Sequence, residues 1–292
     1  MTIVVGFGPD VQSNAGLNLA GQLARSTGEQ LVLCCVVHDS WESPTLARGI
    51  DSDWRNHLES LAGEAVQRAR AELPDDLDVD QVVRTGRSVP RVLLEEGKRR
   101  EASLLVVGSS TDGAFGHVAL GSTSDRLVHS SHVPVALAPR GYRAGDVPVK
   151  RIVLALDPTR SDVSLARTVA PLAASVGASV EAVTFAVRAQ SRSAMGARID
   201  QGVYDAWREQ VEEAHRVVAA AFRSANPSTV ITGTHLLEGE RWSATLESFG
   251  WEDGDLLVVG SSEHGPLARV FLGSTATRIL RHAPVPVVVV PR

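Results

Sequence analysis

Cysteine is nearly absent from this sequence of 292 residues, and the only two, Cys34 and Cys35, are neighbours in LVLCCVVH. Adjacent cysteines cannot staple distant parts of a chain, and with no third thiol a cysteine-rich zinc centre is excluded. Two thiols buried in a strand is the reading taken, with a redox-active vicinal pair as its alternative. A basic excess is also missing. The formal net charge is −5, which argues against a general nucleic-acid binder, although a local basic pocket stays open. No uninterrupted apolar run reaches the roughly 18 residues that a membrane helix needs. The opening MTIVVGFGPD puts no basic region ahead of its apolar residues, so no secretory signal is expected. These absences point to a cytoplasmic protein with neither a nucleic-acid nor a membrane partner. Chemistry is thin as well. No GxxxxGK[ST] loop occurs, and no nucleophile stands with a base in the manner of a triad. The histidines His117, His129 and His132, like His264 and His282, lack carboxylates at metal-ligand spacing, so no metal site is expected.

What is present is a duplication. The apolar fraction of 43% and charged fraction of 22% are those of a soluble globular protein, and the length suits two domains of about 150 residues. The 37 residues Leu104 to Arg140 and the 37 residues Leu256 to Arg292 agree at 19 positions. Their glycines Gly108 and Gly260 are 152 apart, as are Gly121 and Gly273; nearer the front, IVVGFG at Ile3 matches IVLALD at Ile152 with an offset of 149. The second copy is therefore the first with three residues inserted midway. Residues 141–150, GYRAGDVPVK, read as a linker between domains 1–140 and 151–292.

Each copy alternates continuous Val/Leu runs with amphipathic stretches. That pattern predicts an α/β fold in which an open parallel sheet of five strands is covered by helices on both faces, Rossmann-like, with right-handed crossovers. The apolar endings VPVALAP and VPVVVVP predict a last strand that must be covered or paired.

In open parallel sheets ligands sit beyond the carboxyl ends of the strands, and VVGSS is such an end in both copies. Gly108 and Gly260 leave a ligand room to approach the backbone. Thirteen residues later, Gly121-Ser122 and Gly273-Ser274 open the last helix, whose free N–H groups suit a phosphate. Plain turn and cap chemistry is the alternative for each.

The whole chain resembles a tandem universal stress protein, through IVV and IVL of the first strands, the VVGSS…GS loops and the VPV endings. The resemblance implies the adenine-nucleotide α-hydrolase-like version of the fold and a last strand that pairs between the two domains, with a homodimer left open. The nucleotide-binding branch carries G-x2-G-x9-G-[ST] and implies an ATP site, with or without magnesium. Carried over by position, Gly108, Gly121, Ser122 and Thr123 form it in the first copy, and Gly260, Gly273, Ser274 and Thr275 in the second. Asp157 matches the family's first-strand aspartate, and Val36 and Phe185 match its adenine wall. Both copies depart from the pattern: Thr111 and Glu263 replace the second motif glycine, and Gly8 replaces the aspartate, while Gly113 and Gly265 keep the loops supple. A threonine forced to positive φ would cost on the order of 1 kcal/mol, and a carboxylate about 5 Å from a phosphate charge repels by roughly 3 kcal/mol. Arg269 offsets part of that if it folds over its loop; His117, its counterpart, and the paired Arg126 and Arg278 are phosphate contacts or solvated surface. Neither site is then expected to be a full-strength ATP site, and the second is expected to favour adenosine or a less phosphorylated nucleotide. Three functions follow: a stress protein acting by binding an adenine nucleotide, a degenerate scaffold or dimerisation module without nucleotide, or a weak ATPase resting on Asp157.

Overall fold

The computed structural model describes residues 2–8, 14–38, 48–110, 112–158, 163–187, 194–263 and 270–291, with side chains described at all of these except 48–55, 194–201, 262–263 and 270–271. They fall into two compact units, Met1–Pro148 and Val149–Arg292.

The first unit runs β1 (Thr2–Phe7), α1 (Ala15–Thr27), β2 (Gln30–His38), α2 (Arg48–Ala71), β3 (Val79–Gly86), α3 (Val89–Arg99), β4 (Leu104–Gly108), α4 (Ser122–Ser130) and β5 (Val135–Ala138). Its strands lie in the order β3-β2-β1-β4-β5, all parallel. The second continues with β6 (Arg151–Ala155), α5 (Val163–Val176), β7 (Ser179–Val187), α6 (Ala194–Ala225), β8 (Ile231–Gly239), α7 (Trp242–Glu247) and β9 (Asp255–Gly260). A short hairpin of β10 (Ser262–Glu263) and β11 (Val270–Phe271) precedes α8 (Ser274–His282) and β12 (Val287–Val290). Its main sheet has the matching order β12-β9-β6-β7-β8, again parallel. The α/β fold with five parallel strands per copy is the one the periodicity predicts.

The elements follow from the sequence locally. Val and Leu runs such as Leu104–Val107 and Leu256–Val259 are buried because helices cover both faces of a parallel sheet. The helices α1 and α5 stop at Gly28 and Gly177, which take φ of 69° and 66°, a left-handed conformation that disfavours a side chain.

Successive strand residues face opposite layers, and the two cysteines show it. Cys35 packs with Val37 against Ala62, Ala65 and Val66 of α2. Cys34 instead feels Glu96 of α3; burial first, and then that negative field, push its thiol up to about 12. A thiol so held is neutral and inert at neutral pH, which favours the structural reading of the pair.

Glu96 is itself fully buried, held by Arg84 of β3 at 2.8 Å, by Arg100 at 3.1 Å and by Arg99. Burial alone would raise its carboxyl, but the hydrogen bonds from Arg84 and Arg100 and the fields of Arg84 and Arg99 outweigh it, leaving the group below its ordinary 4.5. A depressed folded value means that the stabilisation is complete above 4.5 and fades as pH falls through the folded value. Glu96→Gln is therefore expected to lose about 1–3 kcal/mol at pH 7 and to show a smaller further loss on acidification than the native chain. Urea unfolding followed by circular dichroism from neutral to acidic pH checks both.

Candidate functional site

Register brings the first unit's predicted residues to one rim. Val5 pairs with Leu33 and with Val106, so Gly8, Val36 and Gly108 all lie near one level at the carboxyl ends of β1, β2 and β4. The strand order reverses between β1 and β4, the place where open sheets leave a crevice. The loop after β4 returns to this rim, because a Cβ on Gly121 would sit 3.3 Å from that of Ser110. Gly108, Gly121, Ser122 and Thr123 are thus drawn together. Val36 is only 2% exposed, so little of it is offered to a ligand.

The loop satisfies most of its own polar groups. Ser109 donates its N–H to Ala138 O at 3.1 Å and its hydroxyl to the same oxygen at 2.7 Å, and accepts the Ala119 N–H at 3.1 Å. Ser110 N–H reaches Ala119 O at 2.9 Å. Gly121 N–H goes to Ser124 Oγ at 2.8 Å, half of a capping box. What remains for a ligand is the first turn of α4, where Ser122, Thr123 and Ser124 carry N–H groups with no acceptor inside the helix. Ser122 is exposed. The same turn carries Asp125, whose charge already complements the helix dipole.

A close backbone approach at this rim involves a residue the motif does not include. A Cβ on Gly16, in the first turn of α1, would lie 2.9 Å from the Gly108 nitrogen, whereas one on Gly108 would meet the Gly16 nitrogen at an ordinary 3.6 Å. Gly108 is thus not the crowded partner; α1 starts backbone to backbone against the end of β4.

The second unit repeats the layout with different charges. Ala155 pairs with Val183 and Val259, so Asp157, Phe185 and Gly260 end near one level. Leu156 N–H bonds Val183 O at 2.8 Å and fixes the backbone just before Asp157, which is half-buried. Phe185 is 5% exposed, as covered as Val36. Ser261 N–H donates to Val290 O at 2.9 Å, the counterpart of Ser109 to Ala138. Beyond it the loop pairs as a hairpin, Ser262 with Phe271 and Glu263 with Val270. Position 263 therefore takes strand backbone that any residue adopts. Gly273 caps α8, Ser274 is exposed and Thr275 half-buried. Unlike α4, α8 has no acidic residue in its first turn; Thr277, in the place of Asp125, returns its hydroxyl to Gly273 O at 3.0 Å. Arg278 lies over the Trp242 ring at 5.9 Å.

Thr111, His264, Gly265 and Arg269 lie outside the described residues, as does the side chain of Glu263, so the expected strain and charge repulsion fall there too. His117 is described: its Nδ1 is buried without a protein partner. Among the described residues no three His, Cys, Asp or Glu side chains gather as metal ligands, and no helix is long and apolar enough to cross a membrane.

The two units define a class: tandem doubly wound α/β domains, each with a Gly-Ser rim at its strand ends. The sequence profile described as "Universal stress protein family" matches residues 1–139 and 148–291, and the chain belongs to that family. A universal stress protein of Mycobacterium tuberculosis strain H37Rv is 34% identical over 296 residues, covering 100% of both chains. One of Mycolicibacterium smegmatis is 27% identical over 306 residues, covering 99% of this chain and 96% of its own. In structure the chain is similar to a universal stress protein from Archaeoglobus fulgidus, with a TM-score of 0.65 at 16% identity, covering 100% of this chain and 98% of that one. A Pseudomonas aeruginosa protein described as a universal stress protein gives 0.61 at 16%, covering 99% and 92%.

Sequence reasoning missed Gly16 and Ser109 as shapers of the rim. For Ser109 the repeated VVGSS was a signal; Gly16 has no sequence signal, since its partner is remote. Two helix glycines test the contact. Gly16→Ala is expected to destabilise the chain by about 1–3 kcal/mol, as backbone meets the new methyl, while Gly63→Ala, with nothing within 4 Å of its Cβ, is expected to stabilise it by about 0.5–1 kcal/mol. Urea midpoints of the two variants should move in opposite directions.

Proposed function

We propose that this chain is a cytoplasmic stress protein that binds an adenine nucleotide, with or without magnesium, and acts by binding rather than by catalysis. The observation that carries the reading is the convergence in the second unit of Asp157, Phe185 and Gly260 on the rim where α8 begins. One end of that crevice offers a carboxylate able to accept hydrogen bonds from ribose hydroxyls. The other offers the unfilled first-turn N–H groups of Ser274 and Thr275 with no acidic side chain in that turn, which suits phosphate oxygens. The donor set therefore fits a nucleotide. In the first unit Ser122 and Thr123 supply the phosphate end, but Gly8 stands where the second unit has Asp157, and Asp125 competes for the helix dipole. The buried His117 Nδ1 supports a further polar ligand atom or water near that loop. Because Val36 and Phe185 are both covered, a base reaches them only after neighbouring side chains shift.

A nucleotide-free scaffold is favoured by one observation, the β10–β11 pairing, which already occupies backbone groups of the second loop. Calorimetric titration of the full chain with ATP, ADP and AMP separates the readings. Binding is expected, strongest at the second unit, with Asp157→Ala weakening that site about tenfold through loss of a hydrogen-bonded charge. No heat with any of the three at millimolar ligand would leave the scaffold. Magnesium-dependent phosphate release abolished by Asp157→Ala would instead establish a weak ATPase.

A further inference from the structure

The stretch between the Gly/Ser loop of the first unit and the end of that unit is built into the loop. Arg140, just past β5, holds it at three points. Its N–H donates to His117 O at 3.0 Å, its carbonyl accepts the Gly116 N–H at 2.9 Å, and its guanidinium donates to Gly113 O at 2.7 Å. The next residue, Gly141, turns left-handed at φ 78°, and a Cβ there would overlap the ring of Phe115, a loop residue that is otherwise 76% exposed. From there the chain is fastened along α1. Tyr142 donates its hydroxyl to Gln22 Oε1 at 2.7 Å and accepts at its carbonyl from Asn18 at 3.1 Å; Gln22 donates to Val147 O at 2.9 Å, and Arg25 meets Asp146 at 2.9 Å. Since α1 starts against Gly108, the path closes: strand end, loop, Arg140, connector and helix form one ring of contacts.

We infer that Arg140 is a positioning residue, clasping the 109–121 loop through its 113–117 segment and so setting how the first rim receives a phosphate-bearing ligand; the ligand half of this inference rests on the function proposed above. The physical reason is what the loop lacks. Between Asp112 and His117 it is Gly, Ala, Phe and Gly, with no side chain of its own able to fill the Gly113 carbonyl. Its fixed points within the loop are the Ser110–Ala119 bond, the Ser109 hydroxyl and two short turns, Gly113 N–H to Ser110 O and His117 N–H to Ala114 O, each at 3.3 Å. Without the Arg140 guanidinium the backbone bonds of residue 140 to Gly116 and His117 remain, but Gly113 loses the hydrogen bond that holds the leading half of the tip from outside the loop. The residue is exposed, so its loss opens no core. In the second unit the equivalent position lies outside the described residues, and the loop there pairs as β10–β11.

The test is amide hydrogen exchange on the full chain without ligand, in the native protein, Arg140→Ala and Arg140→Lys. Arg140→Ala is expected to speed exchange of the amides at 113–119 by about tenfold, the order expected for loss of a hydrogen bond from a charged donor. Amides of 255–260 and the thermal midpoint should not move, and Arg140→Lys, which keeps a donor, should recover most of the protection. Unchanged exchange in Arg140→Ala, or equal exchange in the Ala and Lys variants, overturns the clasp. ATP titration in an Asp157→Ala background then reads the first rim, where adding Arg140→Ala is expected to weaken binding about tenfold; faster exchange with unchanged affinity overturns the ligand half. If the native chain binds no ATP, the nucleotide reading and the ligand half fail together, and exchange alone decides whether Arg140 positions the loop.

Discussion

Parallel pairing is the constraint on which each unit depends. A parallel strand must be re-entered from the same end as its neighbour, so every connection has to cross the sheet, here through a helix. All carboxyl ends of the strands consequently fall on one rim, and each helix that follows a strand begins there, with its unfilled N–H groups turned outward. The meeting of Gly8, Val36 and Gly108, and of Asp157, Phe185 and Gly260, needs no force of its own; it follows from the register of three adjacent strands. The same rule makes the rim expensive to leave empty of hydrogen bonds. In the first unit Ser109 and Ser110 spend their polar groups closing the loop, and the first helical turn is left as the open acceptor of anions.

Duplication kept the apolar core and changed the charges around it. Where the second unit joins β6 to β9 through Arg151 and buried Asp255 at 2.9 Å, the first unit joins the equivalent Thr2 and Ser103 by a hydroxyl on a carbonyl at 3.2 Å. Arg151 also meets Glu181 at 3.5 Å, and Glu181 meets His235 at 2.8 Å. The Glu96 cluster of the first unit occupies another place altogether. Both folds stand, so neither ion network is what specifies the architecture. Buried ion pairs add little net stability relative to an apolar or neutral substitute, because desolvation offsets much of the attraction. They become indispensable locally, since removing one partner strands the other.

The parts of this fold that could be read from the sequence are those with local causes. Val/Leu runs gave the strands, Gly28 and Gly177 the helix stops, and the offsets of 152 and 149 the pairing of elements between copies. The rim itself was legible because a Gly-Ser step after a buried run has a local meaning at a strand end. What could not be read has partners far along the chain. Nothing around Gly16 announces that Gly108 will arrive against it, and nothing in ALAPR announces that the arginine will reach back to Gly113, 27 residues earlier. Glu96, in a helix otherwise rich in exposed charge, looks from sequence like one more solvated carboxylate; only the approach of Arg84 from β3 makes it a buried one. Gly108 reads from sequence as room at the backbone, and a Cβ there would meet only the Gly16 nitrogen, at an ordinary 3.6 Å.

The two rims are not equal copies, and the difference has a direction. In the first unit a carboxylate, Asp125, stands in the opening turn of the last helix, and Gly8 sits where the second unit has Asp157. In the second unit the arrangement is exchanged: Asp157 follows the first strand, and Thr277 replaces the helix carboxylate. A charge in the first turn of a helix alters its attraction for an anion by roughly 0.3–1 kcal/mol, and the strand-end carboxylate supplies a hydrogen-bond acceptor that glycine cannot. Both changes act in the same sense. They leave the second rim with a helix start free of acidic side chains and a carboxylate at the strand end, and the first with a partly neutralised helix start and a glycine in the carboxylate's place. Under the proposed function, a ligand carrying phosphate at one end and free hydroxyls at the other would match the second unit better than the first.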